Sequence, residues 1–209
     1  MKPVAIAIPL LLLSLVTAAC DDDPGFDTGL DGNGSGDADG DADTDVDGEG
    51  DCAALDDHFE QEWAAFEQQV LDLVNQRRSQ GANCGAEGSF GPAQTLTMQN
   101  QLRAAARRHS MDMGLRGYFD HMSPGGPCGN NPWERIETAG YAGFSTAGEN
   151  IAAGYGTAEQ VMAGWMGSPG HCANIMHPAF RDIGVGYAEV PGSPFTIYWT
   201  QKFGAKPGN

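Results

Sequence analysis

Gly148-Glu149-Asn150-Ile151-Ala152 and, about one helix later, Gly170-His171-Cys172-Ala173-Asn174-Ile175 are the stretches on which the reading of this chain turns. They supply a carboxylate and an imidazole from two separate segments. Just upstream, Phe119-Asp120-His121-Met122-Ser123-Pro124 adds a second imidazole. Two imidazoles and one carboxylate are the usual components of a divalent-metal site or of an acid/base pair. All three stand near Gly or Pro, which predicts short turn-like settings from which side chains converge on a cleft.

Working outward from these stretches, the hydrophobic pattern predicts helices first and a hairpin last. His58 to Ser79 reads as a helix, with Phe66, Val70, Leu73 and Val74 on one stripe. Gly81 and the Gly-rich stretch to Pro92 end it. Thr97 to Leu115 reads as a second helix, with Leu102, Ala105, Ala106, His109 and Met113 on one face. His109 is thereby expected as a buried histidine satisfied by a backbone or hydroxyl partner. Asn131-Pro132 looks like a cap and first position of a short helix. Thr157-x-x-Gln160 has the form of a capping box for a helix through Val161, Met162 and Trp165. Ser168-Pro169 restarts a helix that carries His171, with Ser168 as its N-cap. Ile183 to Val190 and Phe195 to Phe203 read as strands joined by the turn Pro191-Gly192-Ser193-Pro194. Helices followed by a late hairpin predict an α+β layered fold.

Five motifs occur in a fixed order: Phe119-x-His121, Gly148-Glu149-Asn150, Trp165-x-x-Ser168-x-Gly170-His171, Ile183-Gly184-Val185-Gly186 and Tyr198-Trp199-x-Gln201-x-Phe203-Gly204. In this order they resemble the CAP superfamily of cysteine-rich secretory proteins, antigen 5 and pathogenesis-related proteins, in its bacterial SCP-domain branch. The resemblance covers about Phe66 to Gly204. It implies an α-β-α sandwich with a three-stranded antiparallel sheet between helical layers. The remaining strand would follow Glu149, over Ile151 to Gly154. The resemblance also implies a cleft in which His121 and Glu149 take the places of the first His and first Glu, and His171 that of the second His. The second Glu of that pattern is here Ser168, so a tetrad becomes a triad plus a hydroxyl. Asn150 would line the same cavity. Such a triad is expected to hold Zn²⁺ or another divalent cation with water, more weakly than the full set. Glu149 beside two imidazoles is expected to favour their charged forms.

The first residues give the chain an address. Lys2, the apolar run Val4 to Val16 and Thr17-Ala18-Ala19 read as an export signal over residues 1–19. Cys20 then looks like the lipid-acceptor cysteine of a bacterial lipoprotein, an ordinary cleaved signal being the alternative. Residues 21–51 hold twelve Asp and one Glu with no Lys or Arg. That run, with Cys20, makes 20–51 a solvated tether. Asp43-x-Asp45-x-Asp47-Gly48 echoes a calcium loop, but Ala54 stands where the closing Glu belongs. Of 28 acidic and 11 basic residues in the whole chain, 15 and 10 remain in 52–209, enough sequence for one domain. No basic stripe exists to meet nucleic acid.

With Cys20 set aside, Cys52, Cys84, Cys128 and Cys172 predict two disulfides with three possible pairings. A Cys/His metal cluster is the alternative, and no close Cys-x-x-Cys pair supports it. The resemblance favours Cys84–Cys172, which leaves Cys52–Cys128.

These readings converge on a monomeric, lipid-anchored or secreted domain of the bacterial cell envelope. It would bind a lipid, a glycan fragment or an envelope protein, rather than catalyse. A metal-assisted hydrolase of peptides or cell-wall material is the alternative, weakened because no Gly-x-Ser-x-Gly elbow or His-Glu-x-x-His is present. A purely structural brace of the polar set is the third reading. Trp133, Tyr141, Phe144, Tyr155 and Trp165 lie in or near the cleft-forming segments. Trp165 is expected in the core, and Phe144 and Tyr155 at the surface.

Overall fold

A computed structural model describes residues 52–208. Cys20, the export signal and the acidic tether lie outside the described residues. In chain order the elements are α1 (Trp63–Gln80), β1 (Ala82–Asn83), β2 (Ser89–Phe90), β3 (Thr97–Met98), α2 (Asn100–Arg116), α3 (Pro132–Thr138), β4 (Thr146–Ala153), α4 (Ala158–Gly167), α5 (Pro169–Met176), β5 (Asp182–Glu189) and β6 (Ile197–Ala205). Short 3-10 turns at Leu55–His58 and Gly85–Glu87 complete the set. The main sheet has the order β3-β5-β6-β4. β4, β6 and β5 form the expected three-stranded antiparallel core, and β3 adds a two-residue parallel pairing at one end of β5.

Strand alternation divides the side chains between two helical layers. Tyr198 and Ile151 pack with Met113 of α2 on one face. Trp199, Val185 and Ala152 pack with Val70, Val74 and Val161 of α1 and α4 on the other. α3 adds Ile136 to a cluster with Leu102, Ala105 and Tyr141 on the α2 side. The chain is therefore an α-β-α sandwich.

The motif Ile183-Gly184-Val185-Gly186 has a steric cause. A Cβ on Gly184 would lie 2.0 Å from the Leu102 carbonyl carbon, and one on Gly186 would lie 2.3 Å from that of Ala106. The backbone of α2 thus rests directly on β5, and only glycine leaves room.

Three element starts move most from the sequence reading. α1 begins at Trp63, because Phe59 is extended (φ −82°, ψ 121°) and separates it from the Leu55–His58 turn. Phe59 instead packs edge-on against Trp63, under the Arg107 guanidinium. α2 begins at Asn100, since Thr97 and Met98 pair with β5. β4 begins at Thr146, so Glu149 and Asn150 lie within a strand rather than before one. Gly148 looked like a turn residue. It is glycine because a Cβ there would lie 2.9 Å from the Phe180 ring.

Buried polar residues on α1 also escaped the apolar stripe. Its inward face is Trp63, Glu67, Val70, Leu71, Val74 and Arg78. Glu67 accepts from Arg103 and Arg107 of α2 and from the backbone N–H of Tyr187. It therefore joins the two helical layers and covers an open edge of β5. Arg78 donates to the carbonyls of Gln94, Ile175 and His177, two of them at the C-terminal end of α5. Burial, helped by Arg181, lowers its pKa to about 10.

Trp165 is 1% exposed, as expected of a core residue. Phe144 and Tyr155 are only partly exposed. Phe144 stacks on the buried Tyr141, and Tyr155 packs against the main core. Trp133 is the exposed member of the aromatic set, at 43%.

Candidate functional site

Three elements and one loop meet at Glu149. The residue sits mid-strand in β4, opposite Lys202 of β6 in the register. Its side chain is 2% exposed and faces the α2 layer. The Lys202 ammonium is in direct contact with Oε2. Arg135 Nη2, from α3, lies 3.1 Å from Oε2 and 3.3 Å from Oε1. His121 Nδ1 lies 2.7 Å from Oε1. His109 Nε2, from α2, stands 3.9 Å from Oε1.

Arg135 does more than neutralise. Asn131 caps α3 by accepting from the N–H groups of Trp133 and Glu134, with Pro132 at the first position. That short helix points Arg135 inward, where it also donates to the His121 carbonyl at 2.6 Å and to Ser123 Oγ at 2.8 Å. Lys202 Nζ donates to the Pro132 carbonyl at 3.3 Å. One buried carboxylate thus fastens the 117–131 loop, α3 and two strands to each other.

The charges follow from this enclosure. Burial alone would raise the Glu149 pKa. Lys202, His109, the His121 hydrogen bond and Arg135 outweigh it and hold the carboxyl well below its ordinary value. Burial also lowers Lys202, to about 8, against the pull of Glu149. His109 is fully buried, and neither ring nitrogen has a hydrogen-bond partner among the described residues. Desolvation pushes its pKa well below 6.5, overriding Glu149. The expectation that His109 is satisfied by a backbone or hydroxyl partner therefore fails.

The other sequence-derived site residues lie elsewhere. Alternation along β4 turns Asn150 to the opposite face from Glu149. There its Nδ2 donates to Gln201 Oε1 and to the His171 carbonyl, and its Oδ1 accepts from Asn174. His171 is carried by α5, the helix packed on that face. Ser168 occupies the N-cap position of α5, but its side chain makes no capping hydrogen bond. Thr157 does cap α4, accepting from Gln160 N. The structure thus brings His121 to Glu149 and puts the helix bearing His171 on the other side of the strand. Among the described residues, no group of three His, Cys, Asp or Glu side chains could hold a metal ion. The Glu149 oxygens that a metal would need are already held by Lys202, Arg135 and His121, so these residues do not fit a divalent cation.

Arg135 and Lys202 were missed by sequence reasoning. Lys202 carried a signal, as the one charged residue inside the run Ile197–Ala205. A lone charge in a buried strand needs a cross-strand partner. Arg135 looked like any arginine on a short surface helix.

Both disulfides form as the resemblance favoured. Cys52 bonds Cys128 and Cys84 bonds Cys172, with Cα–Cα distances of 4.9 and 5.4 Å. The sequence profile of the CAP, or cysteine-rich secretory protein, family matches residues 71–203, more than half of the chain. The chain belongs to the CAP family. CAP relatives include the uncharacterized protein YkwD of Bacillus subtilis (strain 168), 39% identical over 141 residues, covering 67% of this chain and 47% of the relative. An uncharacterized membrane protein of the same organism, YlbC, is 29% identical over 151 residues, covering 72% and 38%. The chain spans about half or less of these curated relatives. Among solved CAP-like structures, an extracellular protein containing an SCP domain from Bacillus anthracis str. Ames is 30% identical. It superposes with a TM-score of 0.55 over 68% of this chain and 41% of that one. An outer surface protein from Borrelia burgdorferi shares the fold at 16% identity, with a TM-score of 0.52 over 70% and 94%.

Proposed function

We propose that this chain is an extracytoplasmic CAP module that binds a ligand or partner at the cell envelope, and that the Glu149 cluster is its structural brace. The observation that carries this reading is the engagement of Glu149. A carboxylate that is 2% exposed and held by Lys202 and Arg135 offers substrate neither a free base nor a nucleophile. A brace suits the connectivity, since each partner of Glu149 comes from a different segment.

The reading of residues 1–19 as an export signal, the two disulfides and the likeness to an extracellular protein support the address. Cys20 would carry the lipid that tethers the domain through residues 20–51. Beside the brace, Met122 and Trp133 are 45% and 43% exposed, and the His121 side chain 36%. Each stands on a segment that Glu149 anchors, the 117–131 loop or α3, and the proposed contact with a lipid tail or a glycan ring is assigned to these exposed groups.

The two roles separate experimentally. Glu149→Gln leaves two buried cations short of their partner and is expected to cost about 3–5 kcal/mol in urea unfolding. It should leave intact any adduct seen by native mass spectrometry of the chain purified from its membrane or secreted fraction. Trp133→Ala should remove the adduct and leave stability nearly unchanged. Turnover of peptides or cell-wall material that is abolished both by Glu149→Gln and by chelator would replace this reading with the hydrolase.

A further inference from the structure

We propose that a hollow between the start of α1, the end of α2 and the β5–β6 turn is a docking site for a basic peptide segment of another protein, one that sets Lys or Arg beside an apolar side chain. The hollow measures about 360 Å³, within the range of ligand pockets. Trp63, Met111, Leu115 and Val190 give it an apolar lining. Asp57, Glu60 and Glu189 set three exposed carboxylates around that lining, and His58 is its one basic side chain. The walls are fixed before anything binds. Gly114 leaves no gap between α2 and the turn, since a Cβ there would lie 2.5 Å from Val190 Cγ2. Val190 donates its N–H to the Thr196 carbonyl and accepts from Ser193 Oγ at its own carbonyl, each at 2.7 Å. Leu115, the next residue of α2, is 47% exposed, more than any other large apolar side chain described.

Trp63 is the second, independent pointer. A buried indole usually finds an acceptor for its N–H. Trp165 and Trp199 do so, at the carbonyls of Ile151 and Tyr155. Trp63 is 7% exposed and packs edge-on against Phe59 and Tyr187, yet its Nε1 donates to no acceptor among the described residues. A peptide carbonyl laid in the hollow satisfies that donor, while an aliphatic side chain covers Met111 and Leu115 and a cation meets the carboxylates. Charge decides between occupants. Residues 21–51 of this chain hold twelve Asp and one Glu with no Lys or Arg, and the acidic rim repels them. It also repels a second copy, whose residues 52–209 carry 15 acidic against 10 basic side chains, and an anionic membrane. The hollow shares no residue with the Glu149 brace or with Met122, Trp133 and His121, so it stands or falls separately from the function proposed above.

The test uses the full chain and two fluorescein-labelled nonapeptides, one of repeated Lys-Leu-Gly and one of repeated Lys-Gly-Gly. Their charge is the same, and only the apolar side chain differs. Binding is read as fluorescence anisotropy at about 0.15 M salt. The leucine peptide should bind wild type on the order of tenfold more tightly than the glycine peptide. Glu60→Lys/Glu189→Lys should weaken it on the order of tenfold or more. Leu115→Ser and Trp63→Phe should each weaken it by about threefold to tenfold. Thermal melts confirm that each variant is folded, and the two surface variants carry the test if Trp63→Phe is not. Absence of binding to wild type would overturn the inference. Equal binding of the two peptides, or binding that survives the surface variants, would overturn it in favour of the acidic run 21–51. Uptake of wild type by phosphatidylcholine vesicles that Leu115→Ser abolishes, without peptide binding, would replace the peptide with a membrane surface. A dimer in sedimentation that Glu60→Lys/Glu189→Lys dissolves would replace it with a second copy.

Discussion

At the residue scale, His109 gives the Glu149 cluster its pH dependence. Its imidazole is buried and neutral, with Glu149, Arg135, Lys202 and His121 as the charged or titratable groups around it. The unfolded chain takes up a proton at about pH 6.5, whereas the folded chain does not until well below that. Below pH 6.5 the unfolded state therefore binds more protons, and stability falls as pH falls. The expected loss from this group is about 1.4 kcal/mol per pH unit once pH is well under 6.5. Glu149, whose folded pKa is also depressed, adds a second loss that begins near its ordinary value of 4.5. Urea midpoints measured from pH 8 to 4 should fall in those two stages. His109→Leu should flatten the upper stage and leave the lower one. An unchanged slope between pH 6.5 and 5 in His109→Leu would contradict the assignment. That His109 is inward was legible from the 3.6-residue pattern. That it lacks a hydrogen bond was not, because its neighbours come from β4, α3 and β6.

At the element scale, the closest constraint is the seat of α2 on β5. Alanine at Gly186 would place Cβ 2.3 Å from helix backbone, which no side-chain rotation relieves. Gly186→Ala is expected to cost on the order of 4 kcal/mol or more, since the helix must lift from the sheet. Gly170, in the first turn of α5 with nothing near its missing Cβ, is the control. Gly170→Ala should be neutral or stabilise by up to about 1 kcal/mol. Thermal melts of the two variants decide the matter. A well-folded Gly186→Ala would mean that α2 does not rest on β5 as described. The helices and the late hairpin were readable from periodicity and turn residues. The start of β4 was not, because Gly148 and the polar Glu149-Asn150 pair look like loop residues unless their partners across the strand are known.

At the scale of the whole molecule, two long covalent loops hold the layers. The Cys52–Cys128 and Cys84–Cys172 bonds span 76 and 88 residues. The first joins the start of the described chain to the 117–131 loop, and the second joins the β1–β2 region to α5. Loops of this length constrain the unfolded chain strongly, and losing one such bond typically costs about 2–5 kcal/mol. Cys84→Ser/Cys172→Ser should show a loss of that size in urea unfolding. A double variant as stable as wild type would mean that the bond contributes nothing to the fold. Sequence alone determined the family, the layered α+β class, the order of the main helices and the late β5–β6 hairpin, the four paired cysteines and the acidic run, because these depend on local periodicity, turn chemistry and motif order. Only the tertiary structure decided which charges meet. Strand alternation sent Glu149 and Asn150 to opposite faces, register brought Lys202 opposite Glu149, and α3 delivered Arg135 from a segment that looked like surface. A carboxylate's chemistry depends on the neighbours that folding gives it, and those lie 14 to 53 positions away along the chain.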